Sequence, residues 1–176
     1  MNNFLDLLLH RHSVRQYTGE LVSREQLEQI VHAGLLSPTG RNRREWEFVV
    51  VEDRATLEKL AETRAGGAAK MLSGAAAAIV VFADISMTDV WSEDCSIAMS
   101  NMHLMATELG LGSCWIQGRL RTTEDGRLTS EAVRELLGAP EGLELEAMLS
   151  LGVPVQVPAV RTENDADMTK VHWEQF

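Results

Sequence analysis

The stretch DCSIAMSNMHLMATELGLGSCWIQG, residues 94–118, contains a helix, its stop signal and a strand in one unbroken run. Asp94 is placed to cap a helix, and Ile97, Ala98, Asn101, Met102, Met105 and Leu109 follow at spacings of three and four residues. Gly110 supplies the left-handed residue that closes such a helix. Ser113 to Gln117 then reads as a buried strand. The run GLGSCW (110–115) begins like a dinucleotide-binding glycine fingerprint, but Trp115 stands at the third glycine position. Its order, helix then strand, is also the reverse of the one that places pyrophosphate on a helix N-terminus. A Rossmann reading fails on both counts.

The flanking sequence continues the alternation of helix and strand. Upstream, Phe4, Leu5, Leu8 and Leu9 form the apolar face of a first helix. Ser23 followed by Gln26 is a capping-box signature for a second, carrying Leu27, Ile30, Val31, Gly34 and Leu35. Pro38 and Gly40 end that helix in a polar loop, and Phe48–Val51 is a β-branched strand. Asp53 caps a helix with Leu57, Leu60 and Ala61 inward. The Gly-rich stretch 65–70 reads as a mobile loop or helix end, and Ala77–Ala83 as a second buried strand. Downstream, Ser130–Leu137 is a helix closed by Gly138, and Leu145–Leu151 is a fourth strand. From Pro154 the chain turns polar and reads as a tail (154–176) that wraps a surface or a partner subunit. The expected architecture is α+β, one domain over residues 1–176, with a mixed central sheet flanked by helices.

Composition narrows the function. The 176 residues carry 26 acidic against 16 basic side chains, a net charge of −10, with 45% hydrophobic content. That balance argues against a nucleic-acid partner or an anionic membrane surface. No apolar run reaches the ~18–20 residues that span a bilayer. The opening MNNFLDLLLHRHS has Asp6 inside its apolar stretch and no basic leader, so it does not read as a secretory signal. Cys95 and Cys114 give neither a disulfide framework nor a CxxC pair, and the expected compartment is the reducing cytoplasm. Residues 1–50, however, hold six basic and six acidic side chains, so the acidic excess lies wholly in residues 51–176. Arg11, Arg15, Arg41, Arg43 and Arg44 therefore form a local cationic concentration, suited to a small anionic ligand.

Several chemistries are absent from the sequence. There is no P-loop, no H-E-x-x-H zinc motif and no G-x-S-x-G elbow. His10, His12, His32, His103 and His172 show no metal-ligand spacing, so no metal site is expected, and each reads alone as a surface or satisfied histidine. What remains is RHSVR (11–15), two guanidiniums flanking a hydroxyl just after a helix. Arginine offers planar, bidentate donors to phosphate, and Ser13 with nearby backbone N–H groups can complete an anion cradle.

RHSVRQY accompanies SPTGRNRREWEFVVV (37–51), AAAAIVVFAD (75–84), residues 94–118, VRELLGAPEG (133–142) and LSLGVP (149–154). In this order the blocks resemble the FMN-dependent nitroreductase family over nearly the whole chain. The resemblance implies an intertwined homodimer with FMN at the subunit interface. It implies that Arg11, His12, Ser13 and Arg15 hold the FMN phosphate, ribityl chain and pyrimidine edge. Pro38, Thr39, Gly40 and Asn42 match the loop that the partner subunit lays against the flavin. Trp115, Ile116, Gln117 and Gly118 match the segment along the isoalloxazine near its reactive N5, and Arg161 the C-terminal basic residue on the phosphate. It further implies a cytoplasmic oxidoreductase that takes hydride from NADH or NADPH and reduces a small acceptor, such as a nitroaromatic or quinone, by a ping-pong mechanism. No side chain is then required as catalytic acid or base. Other flavin reactions known on this scaffold (flavin fragmentation, dehalogenation, azoline oxidation) and a non-catalytic flavin-binding module are the alternatives.

The chain departs from the family pattern N-x-Q-P-W, reading Asn42-Arg43-Arg44-Glu45-Trp46 instead. That change alters the strand entry and bears on the substrate class more than on the cofactor. Apolar residues on more than one face of the 94–109 helix (Ile97, Met102, Leu104, Met105) fit a helix covered on several sides, by a partner subunit or as the centre of a monomeric core.

Overall fold

The alanine- and valine-rich run that begins at Ala75 becomes the centre of the molecule. The computed structural model describes residues 4–176, and in it strand β2 (Ala77–Asp84) is buried along nearly its whole length. Strand β1 (Trp46–Val51) pairs with one edge of β2. On the other side lie β4 (Leu143–Gly152) and then β3 (Gly112–Gln117), giving the order β1-β2-β4-β3. All three ladders are antiparallel. The parallel component expected of a mixed sheet reduces, among the described residues, to the isolated bridge Ser13–Ser113.

Both faces of the sheet are covered, which is why β2 is a continuous apolar run and not an alternating one. Ile79, Val81 and Ala83 pack under α2 (Arg24–Leu35) and α4 (Trp91–Glu108), against Leu27, Ile30, Ala98, Met99 and Met102. Ala78, Val80 and Phe82 face the opposite way, toward α3 (Arg54–Ala61) and α5 (Thr129–Leu137) through Leu57, Leu60 and Val133. Helix α1 (Phe4–His10) rests near α4.

Local signals set most boundaries. The Ser23–Gln26 capping box and the Asp53 cap form as expected, with Asp53 accepting from Thr56 N at 2.8 Å. Gly110 and Gly138 follow α4 and α5 at φ 74° and 65°. Three readings need correction. Helix α4 starts at Trp91, not at Asp94, and Asp94 sits in its first turn, accepting from Gly40 N at 2.8 Å. A tertiary hydrogen bond thus captures the carboxylate that the local pattern assigned to a cap. Strand β1 begins two residues earlier than expected because Trp46 pairs with Ala83. The 65–70 segment is no free loop: it holds a short 3-10 turn at Ala65–Gly67, and Ala69 and the nearby Leu72 are fully buried.

The tail beyond Pro154 starts against its own N-terminal segment, Val155 N donating to Gln16 O (3.1 Å) and Arg161 N to Leu9 O (3.2 Å). Beyond the sheet it exposes Val157, Val160, Met168, Val171, Trp173 and Phe176.

Candidate functional site

Residues 11–18 leave α1 and cross the end of the sheet where β3 begins and β4 ends. Val14 N donates to Ser113 O (2.9 Å) and Thr18 N to Val153 O (2.9 Å). A Cβ at Gly112 would lie 2.7 Å from Val14 Cγ1, so only glycine lets the basic segment lie this close to β3. The tail then returns over the same place and brings Arg161 to the motif from the far end of the chain.

The result is a convergence of cations. Burial, then the charge of Arg161, lowers the pKa of Arg11. Burial, then Arg161, Arg11 and His10, lowers that of His12, which favours its neutral form. Among the described residues Arg11, Arg15 and Arg161 form no ion pair. The Nε2 atom of His12 is buried with no hydrogen-bond partner. Clustered like charges are costly, and an anion among them acts against the Arg161 and Arg11 contributions to these shifts. A cavity of about 420 Å³ adjoins the cluster, lined by Ser13, Val14, Arg15, Gln16, Gln156 and Pro158.

Arg11 is held from behind. Its Nη1 lies 3.0 Å from Nε2 of His103, on α4, whose Nδ1 contacts Ser113 Oγ. A guanidinium can only donate, so Nε2 is the lone-pair nitrogen and the imidazole proton sits on Nδ1, facing the serine. Burial, reinforced by Arg11, pushes the His103 pKa down to about 4, which keeps it in this neutral form.

At the other end of β3 the side chains are locked differently. Trp115 Nε1 donates to Gln117 Oε1 (2.8 Å), and Gln117 Nε2 reaches Glu146 O at 3.3 Å. Gly118 N donates to Glu146 O (3.1 Å), and a Cβ on Gly118 would lie 2.4 Å from Leu145 Cδ2. Trp115 packs toward the α4 face, whereas the Ile116 side chain is buried on the α3 and α5 face. Ile116 therefore offers this end of β3 only its backbone.

The structure does not bring the loop Pro38–Asn42 to this cluster within one chain. Gly40 is bonded to Asp94, and the neighbouring Ser37 Oγ accepts from Asn101 Nδ2 at 2.7 Å. His103, which holds Arg11, follows Asn101 by two residues, about 200° around the helix. Helix α4 thus stands between the loop and the basic motif. The loop is also strained, with Arg41, Asn42 and Arg44 all at φ between 54° and 56°. At its end the Glu45 carboxylate is buried (2% exposed) beside Asp94, and neither oxygen has a hydrogen-bond partner of sound geometry. Burial and Asp94 raise its pKa.

Sequence reasoning missed His103, Asp94 and Gln156 as parts of this region. His103 offered one clue, a polar residue amid Met102, Leu104 and Met105, whereas Gln156 carries no local signal.

An antiparallel α+β sheet, with a cluster of arginines free of ion pairs among the described residues at the head of its edge strand, sets the class of the fold and of the site. Comparison with known proteins narrows the class: the sequence profile of the nitroreductase family matches residues 8–70 and 61–153, and the chain belongs to that family. A relative from Archaeoglobus fulgidus, provisionally named NADH dehydrogenase/NAD(P)H nitroreductase, is 39% identical over 158 residues. The match spans 88% of this chain and 87% of that one. The structure of an FMN-dependent nitroreductase from Clostridium difficile superimposes with TM-score 0.95 at 39% identity, over 98% of this chain and all of the other. A provisionally named nitroreductase from Desulfovibrio desulfuricans, solved in complex with FMN, superimposes with TM-score 0.75 at 28% identity, over 100% and 99% of the two chains.

Proposed function

We propose that this chain is an FMN-dependent oxidoreductase that takes hydride from NADH or NADPH and delivers it to a small acceptor such as a nitroaromatic or quinone. The observation that carries this reading is the cradle at the head of β3, where Arg11, His12 and Arg161 converge, the two arginines form no ion pair among the described residues and the buried His12 Nε2 has no partner. A phosphate monoester fits that donor set, because its oxygens accept from several N–H groups at once. FMN, when bound, supplies the hydride chemistry.

The protein's part is binding and orientation. Arg11, His12, Ser13 and Arg161 hold the phosphate. Arg15, exposed and leaning on Ser13 O at 3.3 Å, supplies a positive charge for the flavin ring. The backbone of Trp115–Gly118, pinned to Glu146, gives a rigid edge along which the ring lies. Donor and acceptor take turns at one face, a ping-pong order, and no side chain is assigned as acid, base or nucleophile.

The working unit is a homodimer of single-domain chains. Helix α4 separates the loop Pro38–Asn42 from the basic motif of its own chain, so a loop that reaches the cofactor comes from the partner. The exposed apolar side chains of the tail, Trp173 (80% exposed) and Phe176 among them, support a second chain as their cover. The assigned compartment is the cytoplasm, with no nucleic-acid or membrane partner; no helix among the described residues is long and apolar enough to cross a membrane.

The test begins with the absorption spectrum of the pure protein and its titration with FMN. Flavin bands, NADH or NADPH oxidation on adding a nitroaromatic or quinone, and a mass near twice the 19.5 kDa chain are expected. A colourless protein that takes up no FMN sinks the proposal. Tight FMN retention without NAD(P)H oxidation identifies a non-catalytic flavin binder instead.

A further inference from the structure

The geometry points to His103 as a positioning residue that aims Arg11 at the phosphate of the bound cofactor, an inference that rests on the flavin reading above. The imidazole is 6% exposed and sits on the central helix, so its position is set by the core and not by the loop that carries Arg11. One ring nitrogen faces Ser113 Oγ and the other accepts from Arg11 Nη1 at 3.0 Å. Ser113 also receives Val14 N on its backbone oxygen. A single strand residue therefore anchors both the basic segment and the ring that orients its arginine.

The chemistry of the acceptor matters. A carboxylate behind Arg11 would form an ion pair and cancel the charge that a phosphate needs. A neutral imidazole fixes one N–H of the guanidinium and leaves its charge undiminished. Arginine has five N–H donors, and among the described residues His103 Nε2 is the acceptor for Arg11, so the remaining donors are available to an anion. A histidine serving only the core would be satisfied on one side by Ser113, but its buried Nε2 would then lack a partner. Arg11 and His103 each complete the other.

Comparing FMN with riboflavin isolates the phosphate, since the two flavins differ only in that group. Apoprotein is titrated with each at neutral pH, following flavin fluorescence. Wild type is expected to favour FMN strongly, and Arg11→Ala to lose most of that preference. His103→Leu should weaken FMN binding about ten-fold, the scale of one charge-assisted hydrogen bond, with riboflavin affinity unchanged. His103→Gln, whose amide oxygen can accept from Arg11, should restore most of the loss. In an Arg11→Ala background His103→Leu should add nothing. Should His103→Leu fail to fold, Ser113→Ala, which keeps the imidazole but frees its far side, should show a smaller loss confined to FMN. Equal losses for both flavins, or a His103 effect undiminished without Arg11, would overturn the positioning role and leave the flavin reading standing. Wild type that binds neither flavin would overturn the flavin reading itself.

Discussion

The two ends of helix α4 bury polar groups in opposite ways. Toward its C-terminus His103 is buried with a partner on each ring nitrogen, Arg11 on one and Ser113 on the other. At its N-terminus Asp94 lies against Glu45, whose buried oxygens have no hydrogen-bond partner of sound geometry, and Glu146 nearby (4% exposed) leaves Oε2 without one. A fully bonded buried group fixes geometry, whereas an unbonded one stores a proton. The two ends accordingly answer pH with opposite signs. The His103 pKa is lowered to about 4 from 6.5, so the unfolded chain binds the extra proton between those values and stability falls as pH drops through them. The Glu45 pKa is raised above 4.5, so the folded chain binds the extra proton and stability falls as pH rises through the shifted value. The end that holds the proposed ligand works best neutral and above acid pH; the end that holds the loop is most stable protonated.

Separate variants can break this comparison. The largest effect expected is on the acid limb: wild type should lose on the order of 3 kcal/mol between pH 6.5 and 4 from His103, and His103→Gln should flatten that limb in urea melts. An unchanged acid limb in the variant would remove His103 from the account. Next, Arg11→Ala should weaken FMN binding by about 1.5–3 kcal/mol, read by flavin titration. Full flavin occupancy in that variant would mean Arg11 is no phosphate ligand. The smallest effect belongs to Glu45→Gln, which should stabilise the protein near neutral pH by about 1 kcal/mol, the gain being modest because the amide still lacks partners. The same variant should reduce the fall in stability as pH rises above about 4.5. If it instead destabilises at neutral pH, the carboxylate has a partner in solution, and the contrast between the two ends disappears.

What was legible in the sequence follows the range of the forces involved. The helices, the strands and the break at Gly110 rest on neighbours a few residues apart, and their periodicity shows directly. The basic segment was legible because RHSVR is local, whereas Arg161 was named only through the family resemblance, and its arrival beside Arg11 and His12 depends on the fold. Asp94 misled for the same reason: its position reads as a cap, and nothing nearby announces Gly40 as the competing donor. His103 read as one histidine among five because its partners, Arg11 and Ser113, meet it only through folding. Ile116 shows a further limit, since a motif names positions but not which face of a strand each side chain takes. Glu45 stood out as a departure at Pro, yet its burial beside Asp94 depends on how β1 enters the sheet.

The return of the tail has a consequence for how the protein is made. Arg161 reaches Arg11 and His12 through the bond from its own N–H to Leu9 O, so the first and last parts of the chain meet at one point. During synthesis the RHSVR half of the cluster emerges 150 residues ahead of Arg161. Core packing around β2 also waits for β4. The cluster therefore closes late relative to its first half, and chains cut short before residue 161 carry the motif without the arginine that completes it.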